Sequence, residues 1–282
     1  MAATTTLRFR RSAAELDALA KVERDIRVTD RHSNHRYLRE FREAFPSYHS
    51  VLSQSQFKQA VAAADILLVG DYHALASCQQ FCARLVRDQA STSNRPLVLG
   101  VEAVFARDQR LLDEWMRGEI AGDELRQRIR YDLDWQYDWA PFYELLETAR
   151  EAGVATYGLD CLSRDDMRRI ALRDRHAAKK IGELRARYPD AQIVVLFGES
   201  HLAPSHLPAQ LTSLLPQERV LTVLQNLDQL YGQAADRSRA PVEAVRVDND
   251  VLCVFNATPL EKYESYRSYL ERWGLMSPLK EV

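Results

Sequence analysis

The sequence predicts an α/β fold: a mostly parallel central sheet with helices on both faces, followed by a C-terminal antiparallel hairpin and helix. Short apolar runs (ADILLVGD, PLVLGVEA, GVATYGLD, AQIVVLFGE and RVLTVLQN) alternate with longer segments of helical spacing. The runs are continuous rather than alternating with polar residues, as strands are when helices cover both faces. Near the C-terminus the pattern changes to VEAVRV and VLCVFN around DND, the mark of an antiparallel hairpin.

In chain order, residues 11–28 and 36–66 read as helices separated by the turn-like TDRHSNHR. ADILLVGD is the first strand, followed by a helix from about Ser77 to Ala90, the polar loop STSNRP and the strand PLVLGVEA. Asp108 to Arg117 reads as a helix, and Asp123 as the N-cap of the next one. The aromatic stretch YDLDWQYDWAPFY runs into a helix closed by Gly153. After the third strand, Ser163 caps a long helix reaching Tyr188. LPAQLTSLL is a helix between the fourth and fifth strands, and PLEKYESYRSYLERWG ends the pattern. No repeat or Pro/Gly/Ser-rich linker divides the chain. It is expected to be a single domain over 1–282, with a helical N-terminal extension over 1–60 and a hairpin and helix over 240–282.

Composition narrows the function classes. The 46% of apolar residues supports a buried core and excludes a disordered chain. A formal charge of −2, with charged residues spread along the chain, leaves no basic stripe for nucleic acid. No signal-peptide core opens the sequence and no run approaches the roughly 20 apolar residues of a membrane span, so a cytoplasmic protein without membrane insertion is expected. Four cysteines form no disulfide framework, and Cys78 and Cys82, on one helix face, read as buried apolar residues. His32 and His35 have ligand-like spacing, but no acid or cysteine completes a set.

Ligands of open parallel sheets bind beyond the carboxyl ends of the strands, where loops and helix N-termini converge. There the strands deliver Gly70-Asp71-Tyr72-His73, Glu102, Asp160 and Gly198-Glu199-Ser200-His201. Two ends share Gly-x-x-His with an acid after the glycine, and a glutamate lies between them in sequence. Taken alone, each piece is ordinary: a strand-end His is usually structural, Glu102 suits a helix N-terminus, and Asp160 suits a cap. Their recurrence makes His73, Glu102 and His201 the candidate centre. Two imidazoles and a carboxylate can bind a divalent metal, or run acid–base catalysis without one. His206, between two prolines, is placed to line the same site. His49 and His176 read as surface residues.

ILLVGDYHALASCQQFCARLV, PLVLGVEAVFARDQRLLDEWMRGEI, YDLDWQYDWAPFYELLETAREAGVATYGLD and IVVLFGESHLAPSHLPAQL resemble the ChaN-like haem-binding uptake family, of the superfamily that includes Tiki, TraB/PrgY and the erythromycin esterases. The resemblance spans roughly residues 64–225, with weaker similarity through VLCVFNATPLEKYESY. By position it implies motif histidines at His73 and His201, a motif glutamate at Glu102, motif acids at Asp71 and Glu199, and a family position at Gln109. The first motif departs from the family's common Gly-Glu-x-His-acid: Asp71 and Ala74 stand at its two acidic positions. The superfamily implies peptidase- or esterase-like chemistry, and the ChaN branch implies haem or iron uptake.

The expected function is therefore hydrolysis of an amide or ester bond in a small molecule or peptide, by water activated at His73, Glu102 and His201, with or without a divalent metal. The alternative is a haem- or iron-binding protein without catalysis, with Tyr72, Tyr137 or Tyr157 supplying an axial oxygen and Trp135 walling the pocket. In a third reading the motif residues only hold strand-end loops together. Tyr263, Tyr266, Tyr269 and Trp273 of the last helix would dock on the domain or on a second copy, the latter giving a homodimer.

Overall fold

The computed structural model describes residues 13–29, 35–161, 169–237 and 242–274. His32 and the expected cap Ser163 lie outside them. The N-terminal region forms α1 (Ala13–Thr29), α2 (Arg36–Ala44), a short edge strand β1 (Ser50–Val51) and α3 (Gln54–Ala63). The single helix expected over 36–66 is thus two. Residues before a proline avoid the helical region, and Phe45, ahead of Pro46, has left it (φ −125°, ψ 65°). Ser53 and Gln56 then form a reciprocal capping box that restarts the helix.

The repeating part runs β2 (Ile66–Asp71), α4 (Ala76–Thr92), β3 (Leu97–Phe105), α5 (Gln109–Met116), α6 (Gly122–Arg128), α7 (Tyr131–Asp134), α8 (Trp139–Glu151), β4 (Ala155–Asp160), α9 (Ile170–Arg187), β5 (Gln192–Gly198), α10 (Leu207–Leu214) and β6 (Val220–Gln225). Two expectations are corrected here. Asp123 lies within the first turn of α6, and Ala121 holds the cap position. Strand β3 continues two residues past Ala103, through a register irregularity between Val101 and Phe105. The chain closes with α11 (Asp228–Arg237), which the sequence reading left unassigned, β7 (Ala244–Asp248), β8 (Val251–Val254) and α12 (Pro259–Arg272).

The eight strands form one sheet in the order β1-β7-β8-β6-β2-β5-β3-β4. Pairings from β8 to β4 are parallel, and those of β7 with β8 and β1 are antiparallel. Every residue of β2 and β5 is buried, which accounts for their continuous apolar runs. One core cluster packs α4, α5 and α8 on one face, and a second packs α2, α9, α10 and α11 on the other. A smaller third cluster, Val22, Ile26 and Leu270, joins α1 to α12.

Candidate active site

Strand β5 lies between β2 and β3, and this order brings the motifs together. β2 ends at Asp71, β3 carries Glu102 on its buried stretch, and β5 ends at Gly198. Glu102 and His73 meet over Gly198. A Cβ at that position would lie 3.1 Å from both Glu102 Oε2 and His73 Nε2, and the backbone N–H of Gly198 donates to Glu102 Oε2. Glycine is required there for close approach of the backbone.

His73 Nε2 and His201 Nε2 lie 3.8 Å from Oε2 and Oε1 of Glu102, respectively. That separation is too long for a direct hydrogen bond and suits a bridging O–H group. Each imidazole is held from behind by its own acid. His73 Nδ1–H donates to Asp71 Oδ2 at 2.8 Å, and Gln79 donates to the other Asp71 oxygen. His201 Nδ1–H donates to Asp174 Oδ1 at 2.6 Å, and Tyr37 donates to Asp174 Oδ2 at 2.7 Å. Ionised carboxylates only accept, so both Nδ1 atoms carry a proton, and both Nε2 atoms face Glu102. Burial pushes the Asp71 carboxyl up, against the pull of His73 beside it.

The two histidines differ in access. The His73 side chain is 19% exposed and faces a cavity of about 510 Å³, whereas His201 is almost fully enclosed. His201 is packed edge-on by Phe197 and Tyr37. Burial raises the Tyr37 hydroxyl far above its usual range, with Asp174 adding to the effect, so it stays a donor.

The expectation that His73, Glu102 and His201 ligate a divalent metal finds no support in this arrangement. Among the described residues no group of three or more His, Cys, Asp or Glu side chains is placed to hold one. The compensating cation is instead Arg173, whose Nη2 donates to Glu102 Oε1 and, at 2.8 Å, to Asp160 Oδ2. Its Nε donates to Asp160 Oδ1 at 2.9 Å. Burial alone would lower the Arg173 value, but Glu102 and Asp160 outweigh it and hold the guanidinium charged. Both oxygens of Glu102 already accept N–H groups, one from Arg173 and one from the backbone of Gly198.

The remaining candidates divide between the cavity and its surroundings. Tyr72 and Glu199 line the cavity. Glu199 accepts from the buried Lys262 ammonium at 3.1 and 3.3 Å, and burial raises its carboxyl despite that partner. Trp135 is buried behind His73, with ring centroids 4.4 Å apart. His206 stacks on Tyr37 at 3.6 Å and bonds Ser200 O and Glu40, bracing the loop after β5. Gln109 faces away from the cavity: its amide spans Thr156 O and the Gly158 N–H, pinning β4. Tyr157 is likewise remote, bonded to Tyr188 at 2.7 Å. Tyr37, Gln79, Arg173, Asp174 and Lys262 were missed. Arg173 and Asp174 did leave a signal, since they fall on the buried stripe of α9 with Ile170, Ala177 and Ile181. Charged residues on an apolar helix face demand partners.

Known proteins place this geometry in context. The type III effector HopBA1 superposes with a TM-score of 0.57 at 13% identity, covering 77% of this chain and 99% of the effector. ChaN of Campylobacter jejuni, a structure described by its cofacial heme binding, gives 0.49 at 13% identity, covering 71% of this chain and 91% of its own. At such identity the effector's likeness is one of fold. No curated protein matches in sequence. Residues 57–193 match the family model described as haem-binding uptake, Tiki superfamily, ChaN, which is the family the motifs resemble.

Proposed function

We propose that the protein hydrolyses an amide or ester bond of a small molecule or peptide held in the cavity, with His73 as general base. The observation that carries this reading is the Asp71–His73–Glu102 alignment, whose first two members line the cavity while Glu102 lies buried behind them. His73 Nε2 removes a proton from water as the water oxygen bonds to the carbonyl carbon. Asp71 fixes the tautomer, and Glu102 stabilises the imidazolium that forms. The same proton then passes to the departing nitrogen or oxygen as its bond to the carbonyl carbon breaks. Arg173 holds Glu102 from the enclosed side, where His201 lies 3.8 Å away. A panel of p-nitrophenyl esters and p-nitroanilides tests the scheme. His73→Ala is expected to lower kcat about 10²–10⁴-fold, the usual contribution of a general base, and Asp71→Asn to lower it by a smaller factor. Equal rates for wild type and His73→Ala would remove the proposal.

The family match favours haem as a second reading. The side chains at the cavity suit it poorly. Tyr137 is half-buried and stacked on Tyr269 at 4.4 Å, its hydroxyl raised well above the usual range by desolvation and by that neighbour. The Tyr72 ring lies under the Lys262 ammonium at 4.6 Å. Titration with haem decides: a saturable Soret shift lost in Tyr72→Phe or Tyr137→Phe would establish the second reading over the first.

A further inference from the structure

The walls of the cavity identify the chemistry of its occupant. Helices α1, α2 and α12, outside residues 57–193, supply much of the lining, and the strand ends supply the floor. Phe41, Phe45, Tyr72, Tyr137, Tyr263 and Tyr266 make the wall aromatic. Its ionisable groups are unbalanced: four carboxylates (Glu23, Asp71, Glu199 and Asp228) face two permanent cations, Arg42 and Lys262. Lys262 is spent internally. Its ammonium donates to Glu199 and to Asn226 O at 3.2 Å, and it packs over the Tyr72 ring.

Resting on the proposed function, we infer that the cavity selects a cationic amphiphile: an aromatic or apolar body bearing an ammonium or guanidinium group. The cation-binding end lies around Tyr263, which lines the cavity with Asp228 and Glu23 and whose hydroxyl is raised by burial and by those two charges. These three side chains come from α12, α11 and α1 and converge on one stretch of wall. Asp228 is among the lining residues, and its Oδ1 takes no hydrogen bond among the described residues. Facing tyrosine rings add quadrupole attraction for a desolvated cation. Lys262 over Tyr72 is an internal instance of the same pairing. A carboxylate-bearing ligand would instead meet the excess of like charge.

A matched trio tests the inference by calorimetry: 4-phenylbutylamine, 4-phenylbutan-1-ol and 4-phenylbutanoate, on the full chain near pH 7. The amine is expected to bind at least about tenfold tighter than the alcohol and the carboxylate weakest, since opposite unit charges at contact distance near a protein surface attract and like charges repel. Asp228→Asn and Glu23→Gln, both isosteric, are expected to erase most of the amine's advantage while leaving alcohol binding unchanged. Equal affinities across the trio, tighter binding of the carboxylate, or an amine preference that survives the double variant would each overturn the inference. His73→Ala separates the two claims. Retained amine preference with no effect on hydrolysis sinks the catalytic scheme alone, and loss of hydrolysis without any amine preference sinks the ligand class alone.

Discussion

Arg173 determines how the centre tolerates its own acids. Glu102, Asp160 and Asp174 are buried within one region, and an unpaired carboxylate there would carry a large desolvation penalty. The guanidinium fork meets Asp160 with two N–H groups and Glu102 with one, a geometry that an ammonium cannot reproduce. Removing one partner of such a pair is strongly destabilising, so Arg173→Met is expected to lose about 3–5 kcal/mol of stability. Arg173→Met combined with Glu102→Gln and Asp160→Asn should recover much of that loss, because the stranded charges are gone. Urea midpoints at constant slope measure both. If the triple variant is no more stable than the single one, the electrostatic account of Arg173 fails. The same residue explains why sequence reasoning stopped short: His73, Glu102 and His201 are visible because strand ends announce themselves, whereas Arg173 reaches Glu102 across 71 positions of chain.

Among the elements, α12 shows the same limit in a different form. Its position was legible as the run PLEKYESYRSYLERWG, and the structure adds a capping box between Thr258 and Glu261 with Pro259 at the helix start. The strands were legible too, because full burial writes itself as an apolar run. Nothing local indicated that Lys262 would be buried against Glu199, since a lysine on a tyrosine-rich helix reads as solvated. Burial alone would lower the Lys262 value, but Glu199 and Asp228 hold it above the ordinary lysine range. A group with a raised folded-state value contributes stability that is complete below its unfolded value, about 10.4 for lysine, and is lost as pH rises beyond that. Wild-type stability is therefore expected to fall above about pH 10.4 more steeply than that of Lys262→Met. Denaturation midpoints from pH 9 to 11.5 supply the comparison, and parallel curves for the two proteins would contradict it.

At the scale of the whole molecule, the site lies where two layers of unequal strength meet. The sheet buries two extensive apolar clusters, one on each face. By contrast, α1 and α12 share the small cluster of Val22, Ile26 and Leu270. This pair is tied to the sheet body through Lys262 to Glu199, the stacking of Tyr269 on Tyr137, and Trp273 Nε1–H donating to Gln136 O. Regions with few buried apolar contacts open at lower free energy than the core. The helix pair is thus expected to exchange its amide hydrogens through a local opening that exposes the cavity while the sheet stays closed. Val22→Ala should speed exchange throughout α1 and α12 and leave the global urea midpoint nearly unchanged. Leu68→Ala, at a fully buried position in β2, should cost about 2–5 kcal/mol globally and raise exchange everywhere. Hydrogen exchange followed by mass spectrometry reads both variants in one experiment. If Val22→Ala shifts the global midpoint as far as Leu68→Ala does, the cap and the sheet unfold as one unit, and access to His73 does not depend on a separate motion of these two helices.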